Sequence, residues 1–113
     1  MARGQVRILL VGLPRLLREL VEAALEAQPD MSVVGEAEDA SELAETVERA
    51  GATAVIAAEE ALDEARALEL VGSLRIEIVT LSADGRAAVY ECLPQRRDVG
   101  AVDPKTLAEL LSA

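Results

Sequence analysis

Short apolar runs alternate with helical patterns along most of the chain. The run at residues 6–12 (VRILLVG) is almost continuous, and the run at residues 54–58 (AVIAA) is entirely apolar. Such runs are typical of strands buried on both faces, in the middle of a parallel sheet that helices cover. A run at residues 31–37 partly alternates with polar residues, which favours a position nearer an edge, and residues 76–82 form a further strand.

Helical spacing fills the intervals between these strands. Pro14 suits the first turn of a helix, because its missing N–H has no intrahelical partner there. The apolar positions that follow it at helical spacing are Leu16, Leu17, Leu20, Val21, Ala24 and Leu25. Asp39 and Glu42 match a capping box for a second helix, and Gly51 predicts its end.

The later helices have start patterns of their own. Glu59 and Glu60 are predicted to open a third helix, and Asp103 with Pro104 to open the last one. The apolar face of that last helix consists of Leu107, Leu110 and Leu111. The strand–helix alternation predicts one α/β domain over residues 1–113.

The chain departs from this alternation after residue 82. Only residues 83–86 (ADGR) separate the fourth strand from the apolar run at residues 87–93. An Asp-Gly between two apolar runs predicts a hairpin, since a parallel crossover needs a dozen residues or more. We therefore expect an antiparallel fifth strand at the sheet edge and a missing or shortened fourth helix. The alternative is a short helix over residues 86–93, and residues 94–102 are predicted to be an irregular loop.

Composition and charge exclude several functions. The 113 residues carry a formal net charge of −10, which argues against nucleic-acid or membrane binding by this domain. Histidine is absent and Cys92 is the single cysteine, so we expect no Cys/His metal site, no cofactor and no disulfide. No apolar stretch reaches membrane-spanning length, and residues 1–4 lead straight into the first strand, so we expect a cytoplasmic protein.

A set of short stretches shares its order and spacing with a known family. These stretches are residues 7–11, Pro14 with residues 16–19, residues 25–30, residues 33–37 with Asp39, residues 81–83, and Asp103 with Pro104. In them the chain resembles the receiver domain of bacterial two-component response regulators, most closely over residues 5–58. The resemblance implies a flavodoxin-like three-layer α/β sandwich with a five-stranded, mostly parallel sheet in the order 2-1-3-4-5.

The resemblance also implies a chemistry, and this chain departs from it. Receivers transfer a phosphoryl group to an aspartate at the end of the third strand, beside Mg²⁺ held by two acidic residues. A Ser or Thr ends the fourth strand and a Lys the fifth. Here the acidic pair falls on Gly12 and Leu13, the phosphoacceptor on Ala58 and the lysine on Gly100, while Ser82 alone matches. Methyl and hydrogen side chains neither accept a phosphoryl group nor bind Mg²⁺.

The first functional hypothesis is therefore a phosphorylation-independent pseudo-receiver. It would be a protein-interaction or dimerisation module in bacterial signalling or transcription regulation, without enzyme activity. Its homodimer or partner contact is expected on the face of strands 4 and 5 and the last helix. The candidate residues of this interaction edge are Val89, Tyr90, Cys92, Leu107, Leu110 and Leu111.

The alternative hypothesis is a small-ligand sensor. Ligands of open α/β sheets bind at the carboxyl ends of the strands, where the candidate ligand rim consists of Glu38, Asp39 and Glu59. Glu59 either imitates a phosphoaspartate or occupies the first turn of a helix, where the helix dipole favours a carboxylate. Asp39 and Glu59 are also the carboxylates that acid–base catalysis would use, but nothing in the sequence indicates that their pKa values differ.

Overall fold

The computed structural model describes residues 5–26, 28–91 and 95–112. Within these residues, six strands form one sheet in the order β2-β1-β3-β4-β5-β6. The elements are β1 (Val6–Val11), α1 (Arg15–Glu26), β2 (Met31–Ala37), α2 (Leu43–Ala50), β3 (Ala54–Ala58), α3 (Glu64–Leu74), β4 (Glu77–Leu81), β5 (Arg86–Glu91), β6 (Gln95–Ala101) and α4 (Pro104–Ser112). The predicted α/β class and the order 2-1-3-4-5 are confirmed, with β6 added beyond β5.

The parallel part of the sheet is its apolar centre. β1 pairs in parallel with β2 on one side and β3 on the other, and β3 pairs in parallel with β4. Every residue of β3 is buried, as the continuous apolar run predicted. Because helices cover both faces, β3 shows no alternation of apolar and polar residues, whereas β2 at the edge keeps the partial alternation seen in its sequence.

The helices form two outer layers. Ile8, Leu10 and Ile56 face α1 and α4, where Leu17 and Leu107 pack against them. On the opposite face α2 and α3 supply a second apolar cluster, which contains Leu9, Val11, Val55, Leu43 and Leu70. The chain thus has the three-layer sandwich that its sequence pattern indicated. No helix in the described part of the chain combines the length and apolar character needed to cross a lipid bilayer.

Two helix starts differ from the sequence prediction. The Asp39 carboxylate accepts hydrogen bonds from the backbone N–H and the hydroxyl of Ser41, 2.9 and 2.6 Å away, so it forms a local turn instead of a capping box. α2 begins at Leu43, after Glu42, whose side chain makes no capping hydrogen bond. The predicted αL ending at Gly51 is present, with a φ of 67°.

The third helix also begins later than predicted. Glu59 and Glu60 lie in a turn, and α3 starts at Glu64. Asp63 caps it by accepting a hydrogen bond from the Arg66 backbone N–H at 2.8 Å. The prediction that Glu59 occupies a first helical turn is therefore wrong, because the helix that would attract its charge starts several residues later.

The hairpin prediction is confirmed, and the chain beyond it forms a further strand. β4 and β5 pair antiparallel, which excludes the short-helix alternative for β5. β6 occupies most of the predicted loop and pairs antiparallel with β5, so β5 lies inside the sheet and β6 at its edge. The loop prediction failed because β6 is polar, as an edge strand with one partner can be. Since β5 is antiparallel to both neighbours, β6 runs in the same direction as β4.

The Arg7 side chain ties β1 to the end of α2. Its Nε donates to the carbonyl oxygen of Gly51 at 2.9 Å and one terminal nitrogen donates to that of Ala50 at 3.0 Å. These carbonyls lie at the carboxyl end of the helix, where intrahelical partners are lacking and the helix dipole favours a cation.

We expect Arg7→Met to lower the free energy of unfolding by about 1 kcal/mol, because the aliphatic stem is retained and only the charged cap is lost. Urea denaturation measures this. Arg15→Met is the control, since the Arg15–Glu19 pair has side chains 90% and 54% exposed. Equal losses in both variants would contradict a capping role for Arg7.

Candidate functional site at the carboxyl edge of the sheet

The carboxyl ends of the parallel strands meet at one edge of the sheet, where grooves open. One groove, here called the switch-point groove, has a volume of about 700 Å³ and lies where the strand order reverses between β1 and β3. Its lining comprises Leu10, Gly12, Leu13, Pro14, Arg18, Glu36, Ala37, Glu38, Asp39, Ala58, Glu60 and Ala61. Another, here called the hairpin groove, has a volume of about 430 Å³ and is lined by Glu59, Ser82, Asp84, Arg86, Ala87, Ala88, Asp98 and Gly100.

The two positions of the receiver acidic pair are closed to acidic side chains. Gly12 has a φ of 62°, and a Cβ added there would lie 2.8 Å from the Ala61 Cβ and 3.1 Å from the Glu38 carbonyl oxygen. Glycine adopts this left-handed backbone conformation at the lowest cost, and the close Cβ contacts apply to every other residue type. Leu13 is 7% exposed and packs into the apolar cluster beneath α1. Position 12 thus has no space for a side chain, and the Leu13 side chain belongs to the core.

The phosphoacceptor position is equally apolar. Ala58 is 4% exposed and belongs to the same cluster as Leu13. Glu59, one residue later, is exposed, and its backbone N–H donates to the Leu81 carbonyl oxygen at 2.8 Å. Glu59 lines the hairpin groove with Ser82, whereas Ala58 lines the switch-point groove with Gly12. Ala58 and Glu59, although adjacent in sequence, therefore line different grooves.

Ser82, the one match to the receiver pattern, serves the hairpin turn. Its hydroxyl donates to the Asp84 carboxylate and accepts a hydrogen bond from the Arg86 backbone N–H at 3.0 Å. The Ser82 carbonyl oxygen also accepts the Gly85 N–H at 2.9 Å, and Gly85 has a φ of 81°. The Ser82 hydrogen bond lowers the pKa of Asp84. The hydroxyl thus takes part in the hydrogen-bond network of this connection.

The predicted lysine position lies on β6, one strand beyond the neighbour of β4, and lines the hairpin groove with Ser82. Gly100 lies near the carboxyl end of β6, at a shift in register with β5, and has a φ of 84°. In the receiver order the fifth strand lies beside the fourth, but here β5 separates β6 from β4, a distance of two strand spacings or about 10 Å. Lys105 is exposed in α4. Gly100 thus supplies no cationic side chain and does not lie beside β4.

The candidate ligand rim divides between the two grooves. Glu38 and Asp39 line the switch-point groove and Glu59 the hairpin groove, so Asp39 and Glu59 do not share a site. The hydrogen bond from the Ser41 hydroxyl lowers the pKa of Asp39. This carboxylate is therefore ionised at neutral pH.

The candidate interaction edge is mostly buried. Val89 and Leu107 are 0% exposed, Tyr90 is 2% and Leu111 is 4%, while Leu110 is half-buried. These side chains contribute to the sheet core or pack α4 against the sheet, so they present little surface in the isolated chain, and their role as contact residues stays a prediction. β6 covers the strand edge on which that prediction relied. Cys92 lies outside the described residues.

Sequence reasoning missed several residues of the switch-point groove. Arg18 and Glu36 form an ion pair of 2.9 Å that joins α1 to β2 at the groove. Glu60 and Ala61 line the groove from the turn after β3. The sequence pattern places Arg18 and Glu36 on the polar faces of their own elements, and no local spacing indicates a pair so distant in sequence. The turn is missed because the pattern assigns Glu60 to a helix.

Comparison with solved structures identifies this architecture. The isolated receiver domain of RcsB from Salmonella enterica serovar Typhimurium, with phosphomimetic BeF₃⁻, matches at a TM-score of 0.59 and 15% identity, over 70% of this chain and 62% of that one. The RcsB response regulator of Salmonella typhimurium matches at a TM-score of 0.58 and 14% identity, over 74% and 46%. The receiver domain of the putative response regulator NarL from Mycobacterium tuberculosis matches at 0.55 and 25% identity, over 72% and 68%.

The fold is receiver-like. The matched parts amount to less than two thirds of the length of either RcsB chain, at 62% and 46%. No protein-family model and no curated protein sequence matches the chain. At these identities the likeness establishes the architecture alone.

Proposed function

We propose that this chain is a phosphorylation-independent pseudo-receiver that acts in the cytoplasm of a bacterium, as a docking and dimerisation module in signalling or transcription regulation. The observation that carries the proposal is the closed first acidic position. Gly12 has a positive φ, and any Cβ at this position would come within 2.8 Å of the Ala61 Cβ, in a fold that otherwise keeps the receiver strand order.

Phosphoryl transfer to a receiver depends on charge compensation that this edge does not supply. Mg²⁺ takes oxygen ligands, commonly one or two carboxylates, and offsets the charge of the phosphoryl group. Leu13 and Ala58 present buried apolar side chains at two of the required positions. No cluster of three or more potential metal-ligating side chains occurs within the described residues. These features support a scaffold kept for contacts and not for phosphorylation.

The docking half of the proposal concerns the surface formed by β6 and the outer side of α4. β6 is an edge strand of the described sheet, and its outward backbone groups invite pairing with another chain. Lys105 is exposed on the neighbouring helix. A second copy seated on this surface would place two such edges together around a two-fold axis.

Amide NMR with Mg²⁺ and beryllofluoride, combined with solution mass by sedimentation, tests both halves. We expect no shifts clustered at Gly12, Ala58 and Ser82, and a mass that rises from monomer to dimer with concentration. Clustered shifts would overturn phosphorylation independence. A monomer at every concentration would overturn dimerisation.

A pair of charge-reversal variants tests the surface assigned to the dimer. Lys105→Glu should weaken dimerisation, whereas Arg49→Glu, an exposed reversal in α2 on the opposite face, should leave it unchanged. Equal dimerisation in the two variants, with unchanged melting temperatures, would place the contact elsewhere and overturn this assignment.

A second candidate function is a small-ligand sensor, and the switch-point groove favours it. At about 700 Å³, this groove falls within the size range of small-molecule sites. It lies at the reversal of strand order, where open α/β sheets bind ligands. A ligand seated there would raise the melting temperature, which docking at the β6–α4 surface does not require.

A further inference from the structure

We propose that the switch-point groove binds an organic cation, namely a primary amine or guanidine carried on an aliphatic stem. The inference rests on the sensor function proposed above and names the chemical class of its ligand. Three features of the groove support this proposal. Its floor is apolar, its rim has more carboxylates than basic groups, and its arginine is already in an ion pair.

The floor of the groove is apolar and made of small or buried side chains. Leu10, Leu13 and Ala58 are 3%, 7% and 4% exposed, and Ala37 and Ala61 are half-buried. An aliphatic group that displaces water from such a surface binds favourably, because apolar area is removed from water. The floor therefore favours a ligand with a hydrocarbon stem.

The rim of the groove is negatively charged. Arg18 is the one basic side chain of the described lining, and its terminal nitrogen lies 2.9 Å from the Glu36 carboxylate. That pair is neutral overall, which leaves the carboxylates of Glu38, Asp39 and Glu60 as an excess of negative charge. The Ser41 hydrogen bonds hold the pKa of Asp39 below its ordinary value, so its charge persists at neutral pH.

These features disfavour the other ligand classes that bind at such edges. The excess carboxylates would repel a phosphate, a nucleotide or a carboxylate. Arg18, which would otherwise attract such an anion, is already paired with Glu36. A nucleobase would find no aromatic platform, since Tyr90 is the sole aromatic residue of the sequence and is 2% exposed in β5. An aliphatic cation can contact the apolar floor through its stem and the negatively charged rim through its cationic group.

Three probes with the same stem and different head groups separate the contributions of stem and charge. Hexylammonium, hexanol and hexanoate are titrated in turn into the protein, and amide NMR follows Gly12, Ala37 and Ala61. We expect hexylammonium to bind most tightly, hexanol more weakly and hexanoate weakest, with shifts clustered at these amides. Added salt should weaken hexylammonium binding and leave hexanol binding nearly unchanged.

The outcomes separate this inference from the sensor function on which it rests. Hexanol or hexanoate binding at the groove as tightly as hexylammonium would overturn the cation class and leave a sensor of another class. No clustered shift with any probe would overturn the cation class and the sensor function together. Neither result bears on docking through β6.

A matched pair of double variants tests the role of the rim. Glu38→Gln with Glu60→Gln removes two rim charges, and Glu45→Gln with Glu48→Gln removes two exposed charges of α2 outside the groove. The rim variant should bind hexylammonium about fivefold more weakly or worse, as expected for exposed ion pairs, with hexanol unaffected. Equal hexylammonium affinity in the two variants would overturn the inference. Because all four residues are exposed, both variants should fold normally.

Discussion

Leu107→Ala should lower the free energy of unfolding by about 3 kcal/mol, while Leu16→Ala should change it by less than about 0.5 kcal/mol. Both are leucine-to-alanine changes in helices, and they differ in burial. Leu107 is 0% exposed, in the cluster between α4 and the sheet, whereas Leu16 is 77% exposed on α1.

The large effect has two sources that act together. Truncation removes the favourable transfer of three buried carbon atoms, and it leaves a cavity that the surrounding side chains fill only in part. Leu107 packs with Leu17 and Val89, so the cavity would lie between two helices and the sheet. α4 is the last helix of the described chain, and Leu107 is its most deeply buried side chain, beside Ala108 and Leu111.

Urea denaturation of the wild type and the two variants measures both changes. A similar slope in all three proteins would show that the compactness of the folded and unfolded states is unaltered. A loss below about 1 kcal/mol for Leu107→Ala would contradict the burial of α4 against the sheet. A comparable loss for Leu16→Ala would show that Leu16 is buried, for example in a dimer, and would revise the docking surface proposed above.

How far the sequence predicts this fold depends on what each element packs against. β1 and β3 are covered by helices on both faces, so their burial appears directly as apolar runs. β6 has one partner strand and a polar sequence, so nothing local distinguishes it from a loop. Its existence depends on the backbone groups that the antiparallel β5 leaves open for pairing, and this follows only from the assembled sheet.

The candidate site, like the fold, could be predicted from the sequence only in part. The common location of Gly12, Leu13 and Ala58 could be predicted, because the order of strands places them at one edge of the sheet. The contacts that define the groove join distant segments, such as the ion pair between Arg18 and Glu36. Local spacing contains no information about such pairs, since they form only after β2 lies beside β1.

Gly12→Ala should destabilise the protein by about 3 kcal/mol, and Gly85→Ala by about 1 kcal/mol. Both glycines have positive φ, 62° and 81°, so both variants carry the strain of a left-handed backbone. The two positions differ in the space available for a Cβ. A Cβ at Gly85 meets nothing within 4 Å, whereas a Cβ at Gly12 would lie 2.8 Å from the Ala61 Cβ and 3.1 Å from the Glu38 carbonyl oxygen.

The difference between the two variants therefore isolates the steric closure of the first acidic position. Relief requires the turn carrying Ala61 to move away from the end of β1, where the Gly12 N–H donates to the Ala37 carbonyl oxygen at 2.8 Å. The double variant Gly12→Ala with Ala61→Gly should recover part of the loss, because it removes the closest contact and keeps the strain.

An aspartate at position 12 would bring the same close contact through its own Cβ. Restoring the receiver acid at this position thus entails moving the backbone of the β1 end or of the turn after β3. Equal losses for Gly12→Ala and Gly85→Ala in thermal or urea unfolding would show that the position has room for a side chain. The proposed phosphorylation independence would then rest on residue identity alone, and its main structural support would be removed.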